Sequence, residues 1–157
     1  MTENQSNEQM TRMLRSHVER ALQEIWGHTE LVTDVDDDYP FRSQTSMCWV
    51  SIVGGSQPGV RVFALAANEV PRSRKMLTEL TELNLRSRWA SISWDDGAIV
   101  VDAAIHWMSV DKPAIERALD SVTTVADEIG VMVAAVFGGS TPFPVDLESV
   151  GSDEDAA

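Results

Sequence analysis

The segment SMCWVSIV at residues 46–53 is apolar on both parities of an extended chain: Met47, Trp49 and Val53 alternate with Cys48, Val50 and Ile52. Its length and its β-branched and aromatic content fit a strand better than a helix. Successive side chains of a strand point to opposite faces. The pattern therefore predicts a strand covered on both sides, with Trp49 in the core. A fold built around it needs a sheet and layers packed on that sheet. A chain of 157 residues suffices for one such domain, which buries about 68–70% of the surface its unfolded form exposes.

The rest of the chain switches between two periods. Met10, Met13, Leu14, Val18, Ala21, Leu22, Ile25 and Trp26 recur at steps of three and four and predict a helix ending at Gly27. Between residues 39 and 67 the runs YPFRS, SMCWVSIV and VRVFALAA read as three strands of a meander, the last two separated by a turn at Gly54–Gly59. Helical spacing returns over Arg72–Leu85 through Met76, Leu77, Leu80 and Leu83, with Pro71 at its start. WASISW and AIVVDAAIHW then flank Asp95-Asp96-Gly97, a strong hairpin signal. In the second of these strands Ile99, Val101, Ala103, Ile105 and Trp107 form the core side, opposite Val100, Asp102, Ala104 and His106. Ile115, Ala118, Leu119, Val122, Val125, Ala126, Ile129, Val133 and Val136 mark a long last helix. It begins at Ser109 or Asp111, has Pro113 in its first turn and stops at Gly138-Gly139, and Gly130 is a point where it can bend.

The order α-β-β-β-α-β-β-α belongs to the α+β class. Residues 10–139 are expected as a single domain between a disordered N-terminal tail, 1–9, and an acidic mobile C-terminal tail, 140–157. The acid-rich turn into an aromatic strand at Asp36–Phe41, the Leu83-Asn84 helix ending, the hairpin Trp94–Val101 and the terminal Phe137-Gly138-Gly139 together resemble the YbjN-like branch of the type III secretion chaperone-like (CesT-like) fold. That resemblance covers residues 10–139 and lies in the order and spacing of the motifs. It implies a twisted antiparallel sheet with helices packed on it, a homodimer, and surfaces that hold extended or helical segments of another protein.

Charge narrows the partners. Twelve basic against 25 acidic residues give a net charge of −13, which repels phosphate backbones and anionic lipid. Protein or peptide partners are expected, with nucleic acid and membranes excluded. Cys48 is the lone cysteine, nothing after Met1 reads as a secretory leader, and no apolar run spans a bilayer. These features predict a cytoplasmic protein.

The sequence holds no cofactor motif and no convincing catalytic group. In DVDDDYPF, residues 34–41, Asp34, Asp36 and Asp38 match the first three ligand positions of a calcium loop. However, Tyr39 stands where that loop needs glycine and Thr45 where it needs glutamate, so a solvated turn is the expectation. His17, His28 and His106 have no metal-ligand spacing, and the glycine pairs lack the residues of a phosphate loop or a nucleophile elbow.

The candidate partner or dimer surface comprises Trp89, Trp94, Arg72, Arg74, Lys75, Arg86 and Arg88. Trp89 and Trp94 have opposite parity, so one of them is available to a partner. The cations Arg72, Arg74 and Lys75 crowd a helix start, where each costs about 0.3–1 kcal/mol. The acidic run Glu30–Asp38, of the same molecule or of a dimer mate, is expected to offset them. The expected function is a non-catalytic, chaperone-like module that recognises client segments by apolar sheet surface and strand edge. The alternative is a regulatory or structural adaptor for a folded partner.

Overall fold

The computed structural model describes residues 2–146. Helix α1 spans Glu3–Trp26, and strands β1 (Tyr39–Arg42), β2 (Met47–Val53) and β3 (Gly59–Ala67) follow as an antiparallel meander. Helix α2 (Arg74–Arg86) precedes the hairpin β4 (Ser91–Asp95) and β5 (Ala98–His106). A short 3-10 turn, Trp107–Ser109, leads to α3 (Lys112–Phe137). The sheet has five antiparallel strands in the order β1-β2-β3-β5-β4. The element order is the one read from the periodicity.

Each boundary has a local cause. The β4–β5 turn places Asp96 at φ 44° and Gly97 at φ 92°, the left-handed pair a tight hairpin requires. Ser73 caps α2 by accepting from the Met76 N–H at 3.1 Å, and Asp111 caps α3 by accepting from the Ala114 N–H at 2.7 Å. Of the two starts considered for α3, Asp111 is the cap. Helix α1 begins at Glu3, so residues 3–9, expected within a disordered tail, are helical. Their Glu and Gln content favours helix, and the turn packed through Leu14 and Val18 gives it a nucleus to extend.

Helices α1 and α3 cover one face of the sheet. The core there joins Leu14, Val18 and Leu22 of α1, Ile115, Val122 and Ile129 of α3, and Cys48, Val50, Val62, Ala64, Ile99 and Val101 of the strands. Gly130 has a packing role. A Cβ at that position would lie 2.2 Å from the Ala66 carbonyl oxygen, so its lack of a side chain lets α3 touch β3. Asp127, also on α3, holds the β1–β2 turn. It accepts from the Ser43 hydroxyl, from the Thr45 N–H at 3.0 Å and from the Gln44 N–H at 3.2 Å.

Two further expectations change. The pattern of SMCWVSIV predicts cover on both faces, but of its apolar residues only Cys48 and Val50 are fully buried, and Trp49 lies on the opposite face outside the core. The described part of the expected C-terminal tail, 140–146, is attached: Ser140 exchanges backbone bonds with Asn68 at 2.8 and 3.0 Å, and the Phe143 N–H donates to Thr45 O at 3.0 Å. The rest of that tail lies outside the described residues.

Candidate functional site

The second face of the sheet follows from the strand registers. Met47 pairs with Leu65 and Leu65 with Val100, while Trp49 pairs with Phe63 and Phe63 with Asp102. Two cross-strand rows result, one aliphatic and one led by aromatics. Trp49 and Phe63 stack with ring centroids 5.1 Å apart and planes 15° from parallel. Met47, Trp49, Phe63, Leu65 and Val100 are all half-buried, and none belongs to the core beneath the helices.

A polar corner borders these rows. Arg61 Nε lies 2.9 Å from Asp102 Oδ2, and its guanidinium sits 4.4 Å from the centre of the Phe63 ring. The pair is half-exposed and so contributes little to stability, but it holds a flat cation against an apolar strip. At the β1 end, Arg42 lies 4.1 Å from the centre of the Phe143 ring.

The sheet has two outer strands, and both are blunted. On β4, Asn84 of α2 turns its side-chain amide onto the backbone of Ile92. Asn84 Nδ2 donates to Ile92 O at 2.7 Å, and the Ile92 N–H donates to Asn84 Oδ1 at 2.8 Å. The Ser87 hydroxyl donates to Ala90 O at 2.5 Å. These contacts occupy the outward groups of Ile92 and the carbonyl of Ala90, which another strand would use. On β1, counting by twos from Ser43, whose N–H donates to Ser46 O, puts Tyr39 and Phe41 on the bonded side. Pro40 and Arg42 face outward, where the proline offers no N–H.

The residues singled out from sequence fall in different places. Trp89 lies in the loop before β4 and is 77% exposed. Trp94 packs against the core, its Nε1–H donating to Val70 O at 2.9 Å. Of the two, Trp89 is therefore the available one. Arg72, Arg74 and Lys75 lie at the start of α2, where Arg74 and Lys75 are in its first turn and Arg72 precedes it. Among the described residues Arg72, Arg74, Lys75 and Arg88 have no ion-pair partner, and Arg86 reaches Glu82 only at 3.9 Å. The expected pairing with Glu30–Asp38 in the same molecule does not form. That run leads into β1 at one border of the sheet, while α2 lies against β4 at the other. The acidic run is closed on itself instead, with Asp34 Oδ1 accepting from the N–H groups of Asp36 at 2.9 Å and Asp38 at 3.0 Å.

Burial pushes the Cys48 thiol up to about 12, helped by the Asp127 carboxylate. Burial and the bond to Glu19 likewise raise the Tyr39 hydroxyl to about 12. Both groups stay protonated near neutrality. Burial alone would raise Asp127, but the Ser43 hydroxyl and the N–H groups of Thr45 and Gln44 outweigh it and hold the carboxyl below its ordinary value. Among the described residues no cluster of three His, Cys, Asp or Glu side chains forms, and no helix is long and apolar enough to cross a membrane. The arrangement offers apolar contact area bordered by cations.

No curated protein matches the chain. Several solved structures share its fold, three of them as follows. The ExsC–ExsE complex aligns with TM-score 0.62 and 14% identity, over 75% of this chain and 94% of the other. The HopA1–SchA chaperone–effector complex aligns with TM-score 0.61 and 11% identity, over 75% and 93%. The Yersinia pestis type III secretion chaperone SycH, bound to a stable fragment of YscM2, aligns with TM-score 0.55 and 14% identity, over 76% and 98%. Residues 12–145 match the family model TY-Chap1, described as T3SS (YopN, CesT) and YbjN peptide-binding chaperone 1. That match covers nearly the whole described fold, and the chain belongs to this family of peptide-binding chaperones.

Proposed function

We propose that the protein is a non-catalytic chaperone-like module that holds segments of another protein against the open face of its sheet. The observation that carries this reading is the pair of rows Met47-Leu65-Val100 and Trp49-Phe63, left partly exposed after the helices have covered the other face. Each of these side chains keeps only part of its surface exposed, so covering three or four of them supplies roughly 1–4 kcal/mol before association costs, to which the rest of a client segment or of a second copy must add. The complexes named in the three similar structures support a protein client.

The reading includes a homodimer in the cytoplasm. The apolar area left open supports the first part, and the single, buried cysteine fits the second. Trp89 together with Arg72, Arg74, Lys75, Arg86 and Arg88 extends the partner surface beyond the open face. The assignment includes no catalysis.

Co-purification followed by limited proteolysis tests the function. A chaperone protects a short segment that is disordered when free. Trp49→Asp should abolish that protection while leaving the circular dichroism spectrum unchanged. Recovery of only intact folded domains, with no protected segment, removes the reading and favours the adaptor.

A further inference from the structure

Strand β5 is longer than the partner on its outer side. It runs to His106, but β4 pairs only with Ala98–Asp102. The N–H of Trp107 donates to Pro58 O at 3.1 Å on the β3 side. Bonding direction alternates along a strand, so Ala103 and Ile105 also bond toward β3. The N–H and C=O groups of Ala104 and His106 therefore point away from the sheet, past the start of β4. This leaves an empty lane in line with β4, four residues or about 13 Å long.

The lane has walls. Trp89 borders it, and on its helix side lies a hollow of about 440 Å3 lined by Trp89, Ile105, Ala114, Ala118 and Arg117. A second hollow of about 520 Å3 adjoins it, sharing Trp89, Ala103 and Ala104 and bringing in Arg88. Arg88 and Arg117 have no ion-pair partner among the described residues. Of the two acids at the hollows, Asp102 is bound to Arg61, leaving Asp120.

We propose that this lane takes an extended acidic segment of another protein as an added strand. Backbone bonds to Ala104 and His106 set its register, an apolar side chain enters the hollow that Trp89 and Ile105 line, and carboxylates meet Arg88 and Arg117. The inference rests on the peptide-binding reading but names a different surface. Asn84 takes the outward groups of Ile92 on β4 and the edge of β1 carries Pro40, which makes the second half of β5 an open place to extend the sheet.

The probe is a fluorescein-labelled peptide of alternating valine and threonine with aspartates at both ends, beside a lysine-ended counterpart. Anisotropy should show the aspartate form binding about tenfold tighter. Trp89→Ala, at an exposed site that leaves folding intact, should weaken it by about tenfold or more. Arg117→Glu should reverse the preference between the two peptides. Methylating alternate backbone nitrogens should abolish binding in one parity and spare the other. No binding of the aspartate form, equal binding of the two peptides, or equal effects of both methylation parities overturns the proposal. So does a loss of self-association in Trp89→Ala with peptide binding unchanged, which assigns the lane to a second copy. Binding lost in Trp49→Asp but untouched by Trp89→Ala and Arg117→Glu overturns the lane and leaves the open-face reading standing. A client that stays bound through the lane when Trp49→Asp is made overturns the open face alone.

Discussion

Asp127 shows how one side chain fastens two distant parts of this chain. Its carboxylate gathers donors from Ser43, Gln44 and Thr45, more than eighty residues away in sequence. Replacing it by alanine leaves those donors without an acceptor, and chemical denaturation should report a loss of about 1–3 kcal/mol. The pH dependence follows from the direction of its shift. Because the folded carboxyl lies below its ordinary value, its stabilisation is fully present above the unfolded value near 4. It fades as pH falls through the lower folded value. Acid titration of the alanine variant should lack this component, and an unchanged acid limb would remove the role assigned here. Cys48 gives a second residue-scale expectation: with its thiol raised to about 12 and no exposure to solvent, it should resist a thiol reagent at pH 8 until denaturant is added. Neither Asp127 nor the edge cap by Asn84 could be read from the sequence. A polar residue within a helix carries no local sign of a bond to a distant turn or strand.

At the scale of elements the sequence spoke more clearly. Periods of two and of three to four residues placed the five strands and three α-helices but not all their ends, as Trp89 and Trp107 fall outside β4 and β5, because those patterns record which side of each element faces the core. They could not say how many faces were covered. SMCWVSIV looked buried on both sides because a sheet face that binds other molecules carries the same residues as one buried by its own chain. Gly130 was open to two readings for a similar reason. Glycine within a helix permits either a bend or a close approach, and only the Ala66 carbonyl beneath it decides. An exposed Gly→Ala change in a helix stabilises by roughly 1 kcal/mol, but Gly130→Ala here should destabilise, by about 2 kcal/mol or more, because the added carbon overlaps backbone. A thermal melt checks the sign. The contact between α2 and β4 makes a comparable prediction: Asn84→Ala frees both outward groups of Ile92, so its amide should exchange faster and the protein should self-associate more readily through β4.

For the whole molecule, the excess of acid sets how a partner arrives as distinct from how it stays. A net charge of −13 repels an acidic peptide at long range, while Arg88 and Arg117 attract it only within a Debye length, about 10 Å at 0.1 M salt. Added salt screens the first effect during approach and the second once the peptide is seated. Stopped-flow mixing of the aspartate-ended probe should therefore show association quickening as salt rises from 50 to 300 mM, with dissociation quickening too. The lysine-ended probe should associate more slowly over the same range. Client segments held by the open face, where the contacts are largely apolar, should show little change in dissociation. An acidic probe whose association slows with salt would mean that the local cations, rather than the overall charge, govern its approach.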